Sequence, residues 1–88
     1  MQQIEIMNKY GLHIRVAKEI VELASGYSSD IYIARENDVE NKVSARSMLG
    51  LMSIGAVNGD IIIIEADGDD AEDAIKEITN MLNTIDFN

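Results

Sequence analysis

Residues 58–70 read NGDIIIIEADGDD and contain, in succession, a turn, a strand and the start of a helix. Asn58-Gly59 is a common turn dipeptide. The run Asp60–Ala66 is rich in β-branched residues, which pack well on a pleated sheet, so it predicts a strand. The acidic residues after Gly68 favour the positively polarised N-terminus of a helix. The apolar stripe of this last helix consists of Ala71, Ala74, Ile75, Ile78, Met81 and Leu82.

The N-terminal third of the chain shows first a strand pattern and then a helix pattern. Ile4 and Ile6 alternate with polar residues, which is typical of a half-buried strand. From about Ile14 the apolar residues recur at helical spacing, and Ser25-Gly26 ends that helix. The stripe consists of Val16, Ala17, Ile20, Val21, Leu23 and Ala24.

The middle of the chain predicts a hairpin. Ile31 and Ile33 alternate with polar neighbours, and Val43 and Ala45 repeat the pattern. The polar stretch Arg35–Asn41 lies between these two alternations. It predicts a long, charged hairpin tip that is surrounded by solvent.

Ser47 precedes a short apolar segment and is the predicted N-cap of a helix. The segment contains Met48, Leu49, Leu51 and Met52. A helix this short cannot bury all four side chains, so some of them are expected to face solvent and to be available for binding. Ser47 would also be a good phosphorylation site, because a phosphate there meets the positive end of the helix dipole.

The predicted element order is β-α-β-β-α-β-α. We assign it to the α+β class, as an antiparallel sheet with helices on one face. The chain has 88 residues, no proline and no linker-like stretch. It is therefore expected to form a single domain over residues 1–88.

The composition restricts the possible partners. Seven Lys and Arg residues against sixteen Asp and Glu residues give a net charge of −9. This balance argues against nucleic acid and membrane surfaces, because both are bound through clustered positive charge. The absence of cysteine excludes thiolate metal sites, and we expect neither a metal nor a cofactor. No apolar run approaches the length of a membrane span and the N-terminus lacks a secretory pattern, so a cytoplasmic protein is expected.

His13 is the only histidine, and it lies where the first strand pattern gives way to the helix pattern. Its plain interpretation is a histidine in a surface loop. The alternative is a nucleophile, because a neutral imidazole is available near pH 7 and can accept a phosphoryl group on a ring nitrogen. Arg15 and the N–H groups of the helix start would then hold the phosphoryl oxygens. Such an open site suits a carrier rather than an enzyme that must exclude water.

Three motifs cover nearly the whole chain: Gly11-Leu12-His13-x-Arg15, the stretch RSMLGLMSIG at 46–55, and Gly59–Ala66 followed by Gly68 and Asp73-Ala74. In this order and spacing they resemble the HPr family, the histidine-containing phosphocarriers of the bacterial phosphoenolpyruvate-dependent sugar phosphotransferase system. The resemblance implies an open-faced β-sandwich. Its four-stranded antiparallel sheet would have the strand order 1-4-2-3, with three helices on one face.

The resemblance also implies roles for three residues. His13 would accept the phosphoryl group, Arg15 would stabilise it, and Ser47 would match a serine that a dedicated kinase phosphorylates in many members. The implied partners are Enzyme I, sugar-specific EIIA components and, through Ser47, a serine kinase and a transcriptional regulator. The residues expected to contact partners are Ile14, Val16, Met48, Leu49 and Met52.

Two positions beside His13 depart from the family pattern. Ile14 and Val16 stand where the family usually has alanine and proline. The leading hypothesis is a phosphocarrier, without enzymatic turnover of its own, that passes a phosphoryl group from Enzyme I to a sugar-specific component. The alternative is a regulatory binding module of the same fold that acts through Ser47 phosphorylation in carbon catabolite control. A third interpretation, an unrelated ligand-binding domain, would predict no phosphorylation at either site.

Period-two alternation divides the residues of the last strand between the two faces of the sheet. Ile62, Ile64 and Ala66 are expected to face the helices. Ile61 and Ile63 would then lie on the uncovered face. In the strand order 1-4-2-3, Tyr32 and Met7 are expected to join them there in an exposed apolar strip. Such a strip favours weak self-association of the chain.

Overall fold

The computed structural model of the chain describes residues 1–6 and 11–85. Four strands and three helices alternate there in the predicted order. Their bounds are β1 (Gln2–Glu5), α1 (Ile14–Ala24), β2 (Asp30–Arg35), β3 (Val43–Ser44), α2 (Met48–Ile54), β4 (Ile61–Asp67) and α3 (Ala71–Thr84), and a single turn of 3-10 helix (Val39–Asn41) lies between β2 and β3.

The four strands form one antiparallel sheet in the order β1-β4-β2-β3. The isoleucine-rich strand β4 lies inside the sheet, where Ile64 is opposite Ile33 of β2 and Ile62 is opposite Ile4 of β1. Each of these residues is buried against the helices. The predicted fold class and strand order are therefore confirmed.

The core lies between the sheet and the three helices. Its helical part comes from the predicted stripes, because period-3.6 apolar residues face the sheet while charged residues face solvent. The buried helical residues are Val16, Ala17, Ile20 and Ala24 of α1, Leu51 of α2, and Ala74, Ile78 and Leu82 of α3.

The opposite face of the sheet does not carry the predicted exposed strip. Ile63 is only 6% exposed and Tyr32 is half-buried, whereas Ile61 is 37% exposed. The hairpin tip causes the difference, because Val39 and Lys42 line a small cavity together with Ile63. The prediction of an exposed Ile63 was wrong for this reason, and Met7 lies outside the described residues.

Lys42 fastens the hairpin tip to this outer face. Its Nζ atom lies 4.8 Å from the centroid of the Tyr32 ring and 3.3 Å from Glu65 Oε2. A cation over an aromatic ring and an ion pair are each weak at a surface. Together they restrict the tip that covers Ile63.

Asp70 joins the start of α3 to the turn before β2. Its carboxylate accepts hydrogen bonds from the N–H groups of Ser28 (2.8 Å) and Ser29 (3.0 Å), and from both serine hydroxyls. The Ser29 hydroxyl, followed by the Ser28 N–H, lowers the pKa of Asp70 to about 2, since these bonds favour the ionised form. Asp70 is the N-cap residue of α3, but its side chain is used for this tertiary contact rather than for its own helix.

Candidate functional site

His13 is the N-cap residue of α1. Its backbone is extended (φ −80°, ψ 177°), and its carbonyl accepts the first helical hydrogen bond from the Ala17 N–H at 2.9 Å. The ring nitrogen Nδ1 accepts a hydrogen bond from the Arg15 N–H at 3.4 Å, whereas Nε2 is buried. Nδ1 is therefore the ring nitrogen that faces the N-terminus of the helix.

The two residues before His13 are held by the segment that follows α2. The Leu12 N–H donates to the Ala56 carbonyl at 2.9 Å. Gly11 has a φ of +68°, and a Cβ atom there would lie 2.3 Å from the Ala56 oxygen and 2.6 Å from Val57 Cα. Only glycine allows this close approach together with this backbone conformation. The position of His13 therefore depends on a tertiary contact as well as on its own helix.

The start of α1 can hold an anion. The N–H groups in the first turn of a helix lack a carbonyl four residues earlier, and the helix dipole makes this end positive. No acidic residue lies in the first turn of α1, and the Arg15 side chain is exposed beside His13. The arrangement therefore suits a negatively charged group attached to Nδ1.

Ser47 is the N-cap residue of α2, as predicted. Its Oγ atom accepts a hydrogen bond from the Gly50 N–H at 2.9 Å. The preceding residue, Arg46, donates from its guanidinium to the carbonyl oxygens of Tyr27 and Ser29. Arg46 therefore joins α2 to the turn that precedes β2.

The short helix α2 buries only Leu51 completely. Leu49 is 86% exposed, Met52 is also exposed, and Met48 is half-buried. These positions agree with the argument that so short a helix must leave apolar side chains in solvent. Ile14, the first residue of α1, is exposed as well.

Comparison with known proteins identifies the family of this chain. The family model described as "PTS HPr component phosphorylation site" matches residues 1–84. The chain belongs to the HPr family. Phosphocarrier protein HPr of Neisseria meningitidis is 34% identical over 82 residues, which cover 93% of this chain and 89% of that protein.

Solved HPr-type structures also share this fold. The crystal structure of HPr from Thermoanaerobacter tengcongensis matches with a TM-score of 0.84 and 41% identity, over 96% of this chain and 93% of that one. The solution structure of Crh, the Bacillus subtilis catabolite repression HPr, matches with a TM-score of 0.65 and 29% identity, over 92% and 93% of the two chains. HPr proteins are phosphocarriers of the phosphotransferase system and are not enzymes in the usual sense.

Val16 is not available to contact a partner. Its side chain is completely buried in the core. It is the third residue of α1 and belongs to the stripe that packs on the sheet, so the helical period turns it away from solvent. The prediction that Val16 contacts partners is corrected accordingly.

Val57 is a neighbour of the Gly11–Arg15 motif that the sequence pattern did not predict. Its side chain is exposed, and its backbone lies directly against Gly11. A single valine next to turn residues carries no periodic signal, so its position beside the site depends on tertiary structure alone.

A shallow depression lies on the exposed side of α1. It is lined by Arg15, Lys18, Glu19 and Glu22. These residues follow the i, i+3, i+4, i+7 spacing of one helix face. The two cations are nearer to His13 than the two carboxylates along the helix.

Two kinds of feature are absent from residues 1–6 and 11–85. No group of three or more His, Cys, Asp or Glu residues there could hold a metal ion. No helix in the same part of the chain is long and apolar enough to cross a membrane.

Proposed function

We propose that this chain carries phosphoryl groups on His13, receiving them from Enzyme I and passing them to a sugar-specific EIIA component. The observation that supports this proposal most directly is the position of Nδ1, which faces the N-terminus of α1. The proposed carrier acts in the cytoplasm. The transfer needs no metal and no cofactor bound to the chain.

The tautomer of the imidazole ring determines which ring nitrogen reacts. Nδ1 accepts a hydrogen bond, so it carries the lone pair while Nε2 carries the proton. The lone pair attacks phosphorus, an Nδ1–P bond forms, and the bond between phosphorus and the donor protein breaks. The electron pair of that bond leaves with the donor. In the second step a nucleophile of the EIIA component attacks phosphorus, and Nδ1 is released with its lone pair.

Stabilisation of the phosphoryl group is assigned to Arg15 and to the first turn of α1. The guanidinium can approach the phosphoryl oxygens because its side chain is exposed. The backbone N–H groups of the first turn add charge stabilisation without any rearrangement of the helix.

Docking is assigned to the exposed apolar side chains that belong to the two helices. Ile14 projects from the start of α1, and Leu49 and Met52 project from α2, with Met48 half-buried beside them. Exposed apolar side chains give a docking partner area to bury. Flexible methionine side chains suit a carrier that must bind more than one partner.

The test is phosphorylation by phosphoenolpyruvate and Enzyme I, followed as acid-labile label on the chain. His13→Ala should abolish the label. Arg15→Ala should slow labelling by about tenfold or more without preventing it, because one stabilising group is lost. Lys18→Ala, which removes another cation from the same face of α1, is the matched control and should change the rate much less. Label that persists in His13→Ala would contradict the proposal.

A second candidate is a regulatory module controlled by phosphorylation of Ser47. It is favoured by Ile14 and Val16, which differ from the family pattern beside His13, and by the similarity to Crh. In this case an ATP-dependent serine kinase would modify Ser47, and the modified chain would bind a transcriptional regulator. Label on Ser47 from ATP, without label on His13 from phosphoenolpyruvate, would favour this candidate.

A further inference from the structure

Asp60 determines the shape of the turn between α2 and β4. Its Oδ2 atom accepts hydrogen bonds from the Val57 N–H at 2.9 Å and from the Arg35 guanidinium at 2.6 Å. Its own N–H donates to the Val57 carbonyl at 2.9 Å, which closes a β-turn over Asn58-Gly59. Asp60, at one end of the turn, is thus bonded to Val57, at the other end, through both its side chain and its backbone.

The Asp60 carboxylate is suited to hold this turn. The Val57 N–H, followed by the Arg35 guanidinium, lowers the pKa of Asp60 because both contacts favour the ionised form. Hydrogen bonds to a charged acceptor are stronger than those between neutral groups. The ionised carboxylate therefore fixes the Val57 backbone relative to β2, on which Arg35 lies.

The same turn supports the residues that precede His13. The Ala56 carbonyl accepts the Leu12 N–H, and the Gly11 backbone lies against Val57 Cα. A continuous set of contacts therefore connects Asp60, through the backbone of residues 56–57, to the segment that ends at His13. Asp60 itself is not a neighbour of the imidazole in this set.

We infer that Asp60 is a positioning residue for phosphoryl transfer, which holds the 56–60 turn so that the turn can fix Gly11, Leu12 and hence Nδ1 of His13. The inference rests on the proposed role of His13. An ion pair as exposed as Arg35–Asp60 adds little stability by itself. We therefore explain the Arg35–Asp60 contact by its effect on the position of the 56–60 turn rather than by its contribution to stability.

Glu65 provides a matched control. It lies in β4, the strand that Asp60 precedes, and forms an ion pair with Lys42. The side chains of Asp60 and Glu65 are 31% and 35% exposed, so the two pairs have similar contact with solvent. The Glu65 pair, however, lies on the outer face of the sheet, where both residues line a cavity whose lining includes no residue of the 56–60 turn.

The first experiment measures hydrogen exchange of the Leu12 amide by NMR. Loss of the two hydrogen bonds that the Asp60 carboxylate accepts should accelerate exchange in Asp60→Ala by about 3- to 10-fold. Asp60→Asn keeps an oxygen acceptor but loses the charge, so it should show a smaller acceleration. Glu65→Ala and Glu65→Gln should leave Leu12 unchanged. If Asp60→Ala does not fold, Asp60→Asn against Glu65→Gln decides the question, and equal Leu12 exchange in those two overturns the inference.

The second experiment measures phosphoryl transfer from Enzyme I over a range of Enzyme I concentrations. Asp60→Ala should lower kcat by about tenfold, because a displaced nucleophile reacts slowly. KM for Enzyme I should stay within about twofold, because the docking side chains are unchanged. An unaltered kcat, or an equal loss in Glu65→Ala, would overturn the inference. If the unsubstituted chain accepts no phosphoryl group, the proposed function fails, while the Leu12 exchange still tests the positioning contact.

Discussion

Gly11 and Gly55 both have left-handed backbone conformations, with φ values of +68° and +66°, but their surroundings differ. A Cβ atom at Gly11 would overlap the backbone of Ala56 and Val57, whereas a Cβ atom at Gly55 would have no neighbour within 4 Å. The pair therefore separates the cost of the backbone conformation from the cost of losing a close contact.

We predict that Gly55→Ala lowers the free energy of unfolding by about 1–2 kcal/mol, which is the cost of a left-handed alanine. Gly11→Ala should lower it by at least twice that amount, because the added methyl group also separates residues 11–12 from the 56–60 turn. It should slow phosphorylation of His13 in parallel. Denaturant unfolding of both variants measures the difference. Equal losses would show that the Gly11 contact is unimportant.

Residue types and local order were enough to place His13 and Ser47 at helix starts, where both are N-cap residues, and Arg15 in the first turn of α1. Asp60 and Val57 could not be predicted in this way. Their importance comes from contacts with residues that are distant in sequence, and neither belongs to a periodic pattern. Val16 was misassigned because its place in the motif suggested a surface role, although its place in the helical stripe put it in the core.

Helix α2 combines a cap with an exposed apolar surface, and Ser47 belongs to both. The nearest cation in sequence, Arg46, is already bound to two carbonyl oxygens near the start of β2. A phosphate on Ser47 would therefore meet the N–H groups of α2 and would leave additional negative charge beside Leu49 and Met52.

We predict that phosphorylation of Ser47 leaves the fold intact and slows transfer from Enzyme I to His13. The phosphate oxygens can replace Oγ as the cap, so the melting temperature should change little. Ser47→Ala is the control that loses the cap without adding charge, and it should cost about 1 kcal/mol of stability while transfer is retained. A large fall in melting temperature on phosphorylation would contradict the cap argument. An unchanged transfer rate would contradict the effect on docking.

Helix α3 begins at a carboxylate whose partners belong to a different element. The low pKa of Asp70 means that folding favours the ionised form of its carboxylate. The ionised carboxylate therefore stabilises the folded chain relative to the unfolded chain. Because this pKa is depressed, its stabilising effect is complete above the ordinary value of 3.8 and is lost as the pH falls through about 2.

We predict that Asp70→Asn is less stable than the unsubstituted chain at pH 7, and that the difference shrinks between about pH 4 and pH 2. Asp69→Asn removes the adjacent carboxylate, which is exposed and lies outside this hydrogen-bond group, so it should show no comparable pH dependence. Denaturant unfolding at a series of pH values measures both variants. A difference between Asp70→Asn and the unsubstituted chain that stays constant down to pH 2 would contradict the assignment.

At the scale of the whole molecule, the element order and the helix-facing core followed from periodicity, since apolar spacing distinguishes strands from helices. The burial of side chains on the outer face of the sheet could not be predicted from periodicity. Alternation correctly placed Ile61 and Ile63 on that face, but it carried no information about the hairpin tip that folds over Ile63. The number of residues in the tip was visible in the sequence, whereas its direction was not.

We predict that Ile63→Asp lowers the free energy of unfolding by about 2–5 kcal/mol, because it removes a buried side chain and places a charge beneath the hairpin tip. Ile61→Asp changes the same strand and face at a position that is 37% exposed, so it should cost much less. Denaturant unfolding compares the two. Similar losses, or a stable Ile63→Asp variant, would show that the tip does not cover the sheet in solution.

NMR of the histidine ring in the phosphorylated chain directly tests whether Nδ1 of His13 accepts the phosphoryl group. The uniformly 15N-labelled chain would be incubated with phosphoenolpyruvate and Enzyme I, and the ring nitrogen bonded to phosphorus would be identified from its 15N shift and its coupling to 31P. The expected product is a single phosphohistidine, modified at Nδ1. Modification at Nε2, or a chain that acquires no phosphohistidine, would contradict it.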